Sequence, residues 1–382
     1  MDTLLLGVGA AGNKAVIEAV EREIIAVEDT LLINSTDVDL PEKYKNNATI
    51  IGNSIGGCGK EPSSGEALML EAIKGGKIKI KENLDPRHTS VTIVSSLEGG
   101  TGCGGTPVLA KYVANIIKMP VHIISFAGFK EDARGIKNTL TFLSKMQENY
   151  DIQIIENSKF LSRTDDNNYI QAEKLANEEF CIKLSIMLGR CIIDSSQNMD
   201  GMDLYKVVNT YGYKIINYME LSEKLKTKEQ FNDIIKTMMN ESTALDIEEA
   251  TQQRLGVIIN LPEDEVQNVD FSMAVIKKKY GEPIESFKHI QNTDRLPRFI
   301  ATVSSGFKMP IGILRKLDAE YMEKSSAVSK DEDMFFQEAK SLASLNADII
   351  FDMAASVAQP STAKKESKED AKALEDFYKS FG

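Results

Sequence analysis

Glu98-Gly99-Gly100-Thr101-Gly102-Cys103-Gly104-Gly105-Thr106-Pro107 places five glycines in the seven positions from 99 to 105. No other segment limits the fold so strongly. The apolar run VTIVSSL (91–97) precedes it, and the helix-compatible run VLAKYVANIIK (108–118) follows. A strand, a glycine-rich turn and a helix start make an anion site, because bare backbone N–H groups and the positive end of the helix converge on one point. A Cβ in such a turn would hold the backbone away from a phosphate, so the segment predicts a phosphate cradle.

The runs TLLLGVG, DTLLINS, ATIIGN, VTIVSSL, VHIISFAG and DIQIIEN recur from the N-terminus to Asn157. Each is short, apolar and closed by Gly, Asn or Ser, as suits strands buried on both faces. Helical patterns between them imply βαβ units, a parallel sheet and a ligand site at the carboxyl ends of the strands. The expected fold class is therefore α/β, with a Rossmann-like domain over residues 1–167. The spacing in QAEKLANEEFCIKLSIMLGRCII (171–193) predicts one long central helix, placed within 168–197 and buried between two domains. Strand candidates RLGVIINL (254–261) and RFIATVSSGF (298–307), around a helix near 270–280, predict a smaller α+β domain over 198–315. Residues 316–382 read as a C-terminal helical extension and a flexible tail. There, Phe335, Ala339, Leu342, Leu345, Ile349, Met353 and Val357 share one helical face.

At 382 residues the chain is long for one core, which agrees with two domains and a tail. The N-terminus MDTLLLGVGAAG has no basic leader region, and no apolar run is long enough to span a membrane, so a cytoplasmic protein without direct membrane contact is expected. The net charge of −12 argues against a broad nucleic-acid-binding face. Cys58, Cys103, Cys181 and Cys191 lack metal or disulfide spacing, and no metal-ligating side chains are assigned.

Taken alone, GVGAAG (Gly7, Gly9, Gly12) matches the dinucleotide fingerprint and points to a nicotinamide-dependent oxidoreductase. A second glycine-rich loop is more than a dinucleotide fold needs. Two such loops on neighbouring strands can grip the phosphates of one nucleotide from two sides, and Gly57, Cys58, Gly59 and Lys60 offer further contacts. There is no Walker sequence.

Together these segments resemble the tubulin/FtsZ superfamily of filament-forming GTPases. The family's GGGTGTG corresponds to Glu98–Gly104, with Glu98 and Cys103 as departures; its first loop resembles GVGAAGNKAV (7–16). Its NTD is echoed by Asn34-Ser35-Thr36-Asp37, and its third loop by Gly57–Pro62. The family's N-x-D-x-x-D loop is met by Asn198-Met199-Asp200-Gly201-Met202-Asp203. A similar Asn268-Val269-Asp270-Phe271 comes too late in the chain, and Asp270 reads as a turn or helix-cap acid.

The resemblance implies GTP/GDP and Mg2+ as ligands. It implies nucleotide contacts at Gly9, Ala10, Ala11, Asn13, Asn34, Asp37, Gly57, Cys58, Gly59, Lys60, Gly99, Gly100, Thr101, Gly102, Cys103 and Gly104. Guanine recognition would come from Asn157, Asn177 and Glu178, and ribose or phosphate contacts from Glu131 and Arg134. Asn198, Asp200 and Asp203 would complete the catalytic site of the adjacent subunit, so the chain itself is its first partner, in a homopolymeric filament. The apolar-striped C-terminal helix resembles the TubZ branch, which segregates plasmid and phage DNA. That branch implies a DNA-bound adaptor at the tail. An FtsZ-like division or phage-spindle filament is the alternative.

Overall fold

The six apolar runs between Thr3 and Glu156 form six strands of one sheet: β1 (Thr3–Val8), β2 (Thr30–Asn34), β3 (Ala48–Ile50), β4 (Ser90–Ser96), β5 (Val121–Ala127) and β6 (Asp151–Glu156). The computed structural model describes residues 2–52, 57–129, 133–146, 150–193 and 201–310, with 312, 313, 315, 316, 319, 320 and 323. The apolar C-terminal stripe and the tail lie outside the described residues. Four further strands, β7 (Gly212–Glu220), β8 (Arg254–Asn260), β9 (Glu285–Gln291) and β10 (Phe299–Phe307), extend the sheet in the order β3-β2-β1-β4-β5-β6-β7-β10-β8-β9. Pairing is parallel from β3 to β7, antiparallel where β10 meets β7 and β8, and parallel again between β8 and β9. The expected α/β class is the one observed.

The inner strands are mostly apolar because both faces are covered. Along β1, Leu4 and Leu6 enter one core while Leu5 enters the other, as the two-residue pleat requires. Helices Pro62–Lys74, Gly100–Tyr112 and Ala133–Met146 pack on the first face; Gly9–Glu21 and Tyr169–Met187 pack on the second. Full burial of a side chain such as Phe180 contributes about 1.5–3 kcal/mol.

The central helix is shorter than its apolar pattern. It starts where the Asn168 side chain accepts from the Gln171 N–H at 3.0 Å, and it stops at Met187. Gly189 then adopts φ +70°, the left-handed conformation that ends helices. Lys183 ties this helix to β7: its buried ammonium lies 3.1 Å from Glu179 and donates to the Ile216 carbonyl at 2.6 Å. Burial lowers the Lys183 pKa, and the Glu179 carboxylate opposes that shift.

Candidate nucleotide site

β1 and β4 are neighbours, yet the helices that follow them leave on opposite faces of the sheet. This reversal opens a crevice at the carboxyl ends of the strands. A cleft of about 270 Å³ lies there. It receives the first turn of helix Gly9–Glu21 (Gly9, Ala10, Ala11), the ends of β2 and β6 (Asn34, Asn157) and the start of helix Gly100–Tyr112. The two helix starts are nearly in contact, since a Cβ on Gly9 (φ +77°) would lie 3.2 Å from the Gly102 nitrogen. The Ser35 and Thr101 hydroxyls, 2.9 Å apart, join the β2 exit to the second glycine loop, and Thr101 also donates to the Cys58 sulfur at 3.3 Å.

The helix begins at Gly100, inside the glycine-rich segment, and not after it at Val108. Several of the glycines serve helix packing. A Cβ on Gly104 would fall 1.8 Å from the Pro62 carbonyl oxygen, and one on Gly102 would fall 2.6 Å from the Ser96 carbonyl oxygen. Gly99 differs, with nothing within 4 Å of such a Cβ, and it lines the cleft. The segment therefore combines a packing role with an open N-terminal edge.

Two buried polar atoms on the cleft wall have no hydrogen-bond partner among the described residues. Asn34, 2% exposed, uses its Oδ1 to accept from the Ser35 N–H at 2.9 Å, which leaves Nδ2 unpaired. Asn157, 8% exposed, leaves Oδ1 unpaired. Each orphan costs about 1–3 kcal/mol unless something else satisfies it. One is a donor and the other an acceptor, so the cleft suits a ligand with both kinds of group.

Of the residues singled out from sequence, Gly9, Ala10, Ala11, Asn34, Gly57, Lys60, Gly99, Gly100, Thr101, Gly102, Asn157 and Asn177 line this cleft. Asn13 lies buried beneath it and donates to the Ile33 carbonyl at 3.3 Å. Asp37 is off the wall, which Asp39 reaches instead; Cys58 and Gly59 sit between the lining residues Gly57 and Lys60. The Cys103 thiol is buried and donates to the Asn138 carbonyl at 3.1 Å, and burial pushes its pKa up to about 12. Gly104 faces Pro62. Arg134 pairs with Glu61, and Glu178 lies 3.2 Å from Arg22 on the outer side of the central helix.

Asp203 occupies the first turn of helix Gly201–Val208, 3.5 Å from Lys206, and does not line its own chain's cleft. Asn198, Asp200 and Glu131 lie outside the described residues. Asp270 accepts from the Ser272 N–H and from Asn232, each at 3.0 Å, in the turn before helix Ala274–Tyr280.

The cleft also gathers Lys14, Phe126 and Glu173, which the sequence motifs do not single out, and Asp39, which with Asp37 stands where a dinucleotide fingerprint expects its ribose acid. Glu173 had a usable signal: it precedes Asn177 by one helical turn and so shares its face. Among the described lining residues, two cations (Lys14, Lys60) stand against three carboxylates (Asp39, Glu98, Glu173).

Residues 2–165 match the family described as Tubulin/FtsZ family, GTPase domain. The tubulin-like protein CetZ2 of Haloferax volcanii is 25% identical over 62% of this chain and 68% of its own length. The structure of that protein, a GTPγS-bound protofilament, superposes with a TM-score of 0.69 at 18% identity, covering 85% of this chain and 100% of the other. A GTPγS-form protofilament of Bacillus thuringiensis serovar israelensis TubZ gives 0.67 at 16% identity, covering 86% and 94%. Among the described residues, no helix is long and apolar enough to cross a membrane.

Proposed function

Because the chain belongs to the tubulin/FtsZ family through its GTPase domain at residues 2–165, we propose that it binds GTP with Mg2+ in this cleft and assembles head to tail into filaments. Hydrolysis then occurs where the next subunit closes the site. The observation that carries the reading is the pair of orphaned atoms on Asn34 and Asn157, set in a crevice flanked by two helix starts. Phosphates suit the helix N-termini, and a base edge rich in both donors and acceptors suits the amides. Asn177 and Glu173 extend the polar wall along the central helix.

Mg2+ ordinarily takes one or two carboxylates together with substrate phosphates. Glu98, beside Gly99, supplies a carboxylate of that kind at the phosphate end. Bound there, the ion would neutralise developing charge on the phosphates. The chain's own groups bind and orient: the first turn of helix Gly9–Glu21 and the loop after β4 hold the phosphates, and a water must be positioned from outside the cleft. Asp203, away from its own chain's cleft, suits delivery to a neighbour's. Exposed apolar side chains support such a contact: Ile170 (82% exposed) lies one turn before the lining residue Glu173, and Met202 (61% exposed) adjoins Asp203. Head-to-tail contacts that do not close generate filaments.

The purified protein is expected to form filaments, seen by electron microscopy, with GTP and to accumulate longer-lived ones with GTPγS. Pelleting that responds to NADH and ignores GTP would instead favour the oxidoreductase reading. The finer assignment, segregation of plasmid or phage DNA, rests on the sequence beyond Pro310. Under that assignment, removing residues 360–382 weakens capture of a DNA-bound adaptor and leaves GTP turnover intact. Unchanged capture would take the adaptor contact away from the tail.

A further inference from the structure

Lys60 and Glu98 stand together on the cleft wall, with the ammonium 2.6 Å from the carboxylate. Their backbones are pinned side by side, because the Asn138 side-chain amide donates to both carbonyls at 2.9 Å. The Glu98 N–H is anchored to the Ser96 hydroxyl at 3.2 Å, and Lys60 adopts φ +61°. Backbone movement is thus restricted, while both side chains keep access to solvent. Glu98 also immediately precedes Gly99, the N-cap of the helix whose positive end faces the cleft. Its carboxylate therefore occupies the surroundings that attract a phosphate, and it repels one unless a cation stands between them.

We propose that this ion pair is a charge-exchange latch: an incoming nucleoside triphosphate takes the Lys60 ammonium, and Glu98 passes from Lys60 to the divalent cation that accompanies the nucleotide. The inference rests on the nucleotide reading above and adds the residue that couples cation to nucleotide. Partly exposed ion pairs are weak, so the resting pair is easily exchanged. With three carboxylates against two cations on the described wall, a triphosphate arriving without a divalent ion meets net repulsion. The cation is then the condition for tight binding, and Glu98 is the group that imposes it.

The test is equilibrium binding of GTPγS to unassembled protein, with and without Mg2+, in wild type and Glu98→Gln, with Mn2+ paramagnetic resonance as a second readout. Mg2+ is expected to strengthen wild-type binding by roughly tenfold or more. In Glu98→Gln, Mg2+-free binding tightens, the gain from Mg2+ shrinks to about threefold or less, and the Mn2+ signal changes on the bound nucleotide. An identical Mg2+ gain in the two proteins overturns the latch while leaving the nucleotide site standing. No GTPγS binding by wild type in either condition overturns the nucleotide site itself. Should Glu98→Gln fail to fold, Lys60→Gln decides the matter: it exposes the Glu98 charge, so the Mg2+ gain must exceed that of wild type, and a smaller gain overturns the latch.

Discussion

Asp203→Ala is expected to lower GTP turnover by roughly 10²–10⁴-fold, the range for removing a group that handles the attacking water, while GTP binding and GTP-driven pelleting persist. The argument begins with position. Asp203 does not line the cleft of its own chain, and it lies 3.5 Å from the Lys206 ammonium, one turn on. A purely local role would be that of an acid in the first turn of an eight-residue helix. Such an acid contributes about 0.3–1 kcal/mol through the helix dipole. The local role therefore predicts a slightly less stable protein with ordinary turnover. The role in the neighbour's site predicts ordinary stability with turnover lost. Lys206→Ala is the control, since it removes one in-chain ion-pair partner and keeps the carboxylate; its turnover should stay near wild type. Normal turnover in Asp203→Ala, measured by phosphate release above the assembly concentration, removes Asp203 from the mechanism.

Much of the fold was legible because its chemistry is local. A strand covered on both faces is predominantly apolar, so β1, β2, β4, β5 and β6 stand out as runs even though β4, β5 and β6 also carry buried polar residues such as Thr92, His122 and Gln153. The glycine-rich segments are local motifs, the family resemblance implies Asn34, Asn157 and Asn177, and the three asparagines reach one cleft with Gly9, Gly57 and Gly99–Gly102. β7 was hidden by Lys214. That side chain is fully buried, pairs with Asp151 of β6 and donates to the Val208 carbonyl, so its partner lies 63 residues away in the chain. Nothing near Lys214 in sequence announces that a charge there can be buried. β9 is an edge strand with exposed polar positions, which gives neither a continuous run nor a full alternation.

The cleft wall was partly hidden for a different reason, the phase of a helix. Glu178 follows Asn177 in sequence but lies about 100° round the helix from it and meets Arg22, whereas Glu173 shares the face of Asn177. Motif spacing finds residues that follow one another along a loop. It does not find those that a helix brings round to the same side.

Gly104→Ala is expected to be the most destabilising single-methyl change in the glycine-rich segment, costing about 3 kcal/mol or more, at or beyond the usual range for overpacking. Its Cβ would lie 1.8 Å from the Pro62 carbonyl oxygen and 2.7 Å from the Glu66 nitrogen, both backbone atoms that no rotamer change can move. The crossing is locked from the other side too, since a Cβ on Gly65 would fall 2.2 Å from the Gly100 carbonyl oxygen. Helices Pro62–Lys74 and Gly100–Tyr112 would have to separate, carrying Lys60 and the first turn at Gly100 apart. Gly99→Ala is the matched control. It has open space and φ −81°, ψ 151°, a conformation alanine adopts freely, so its cost should stay within about 1 kcal/mol, the usual scale of an N-cap change. Urea midpoints separate the two variants. A Gly104→Ala midpoint matching that of Gly99→Ala would mean that these glycines serve phosphate approach alone. A lower midpoint, with nucleotide binding lost in proportion, assigns the segment both tasks: the same close crossing that excludes a methyl group also holds the helix start against the cleft.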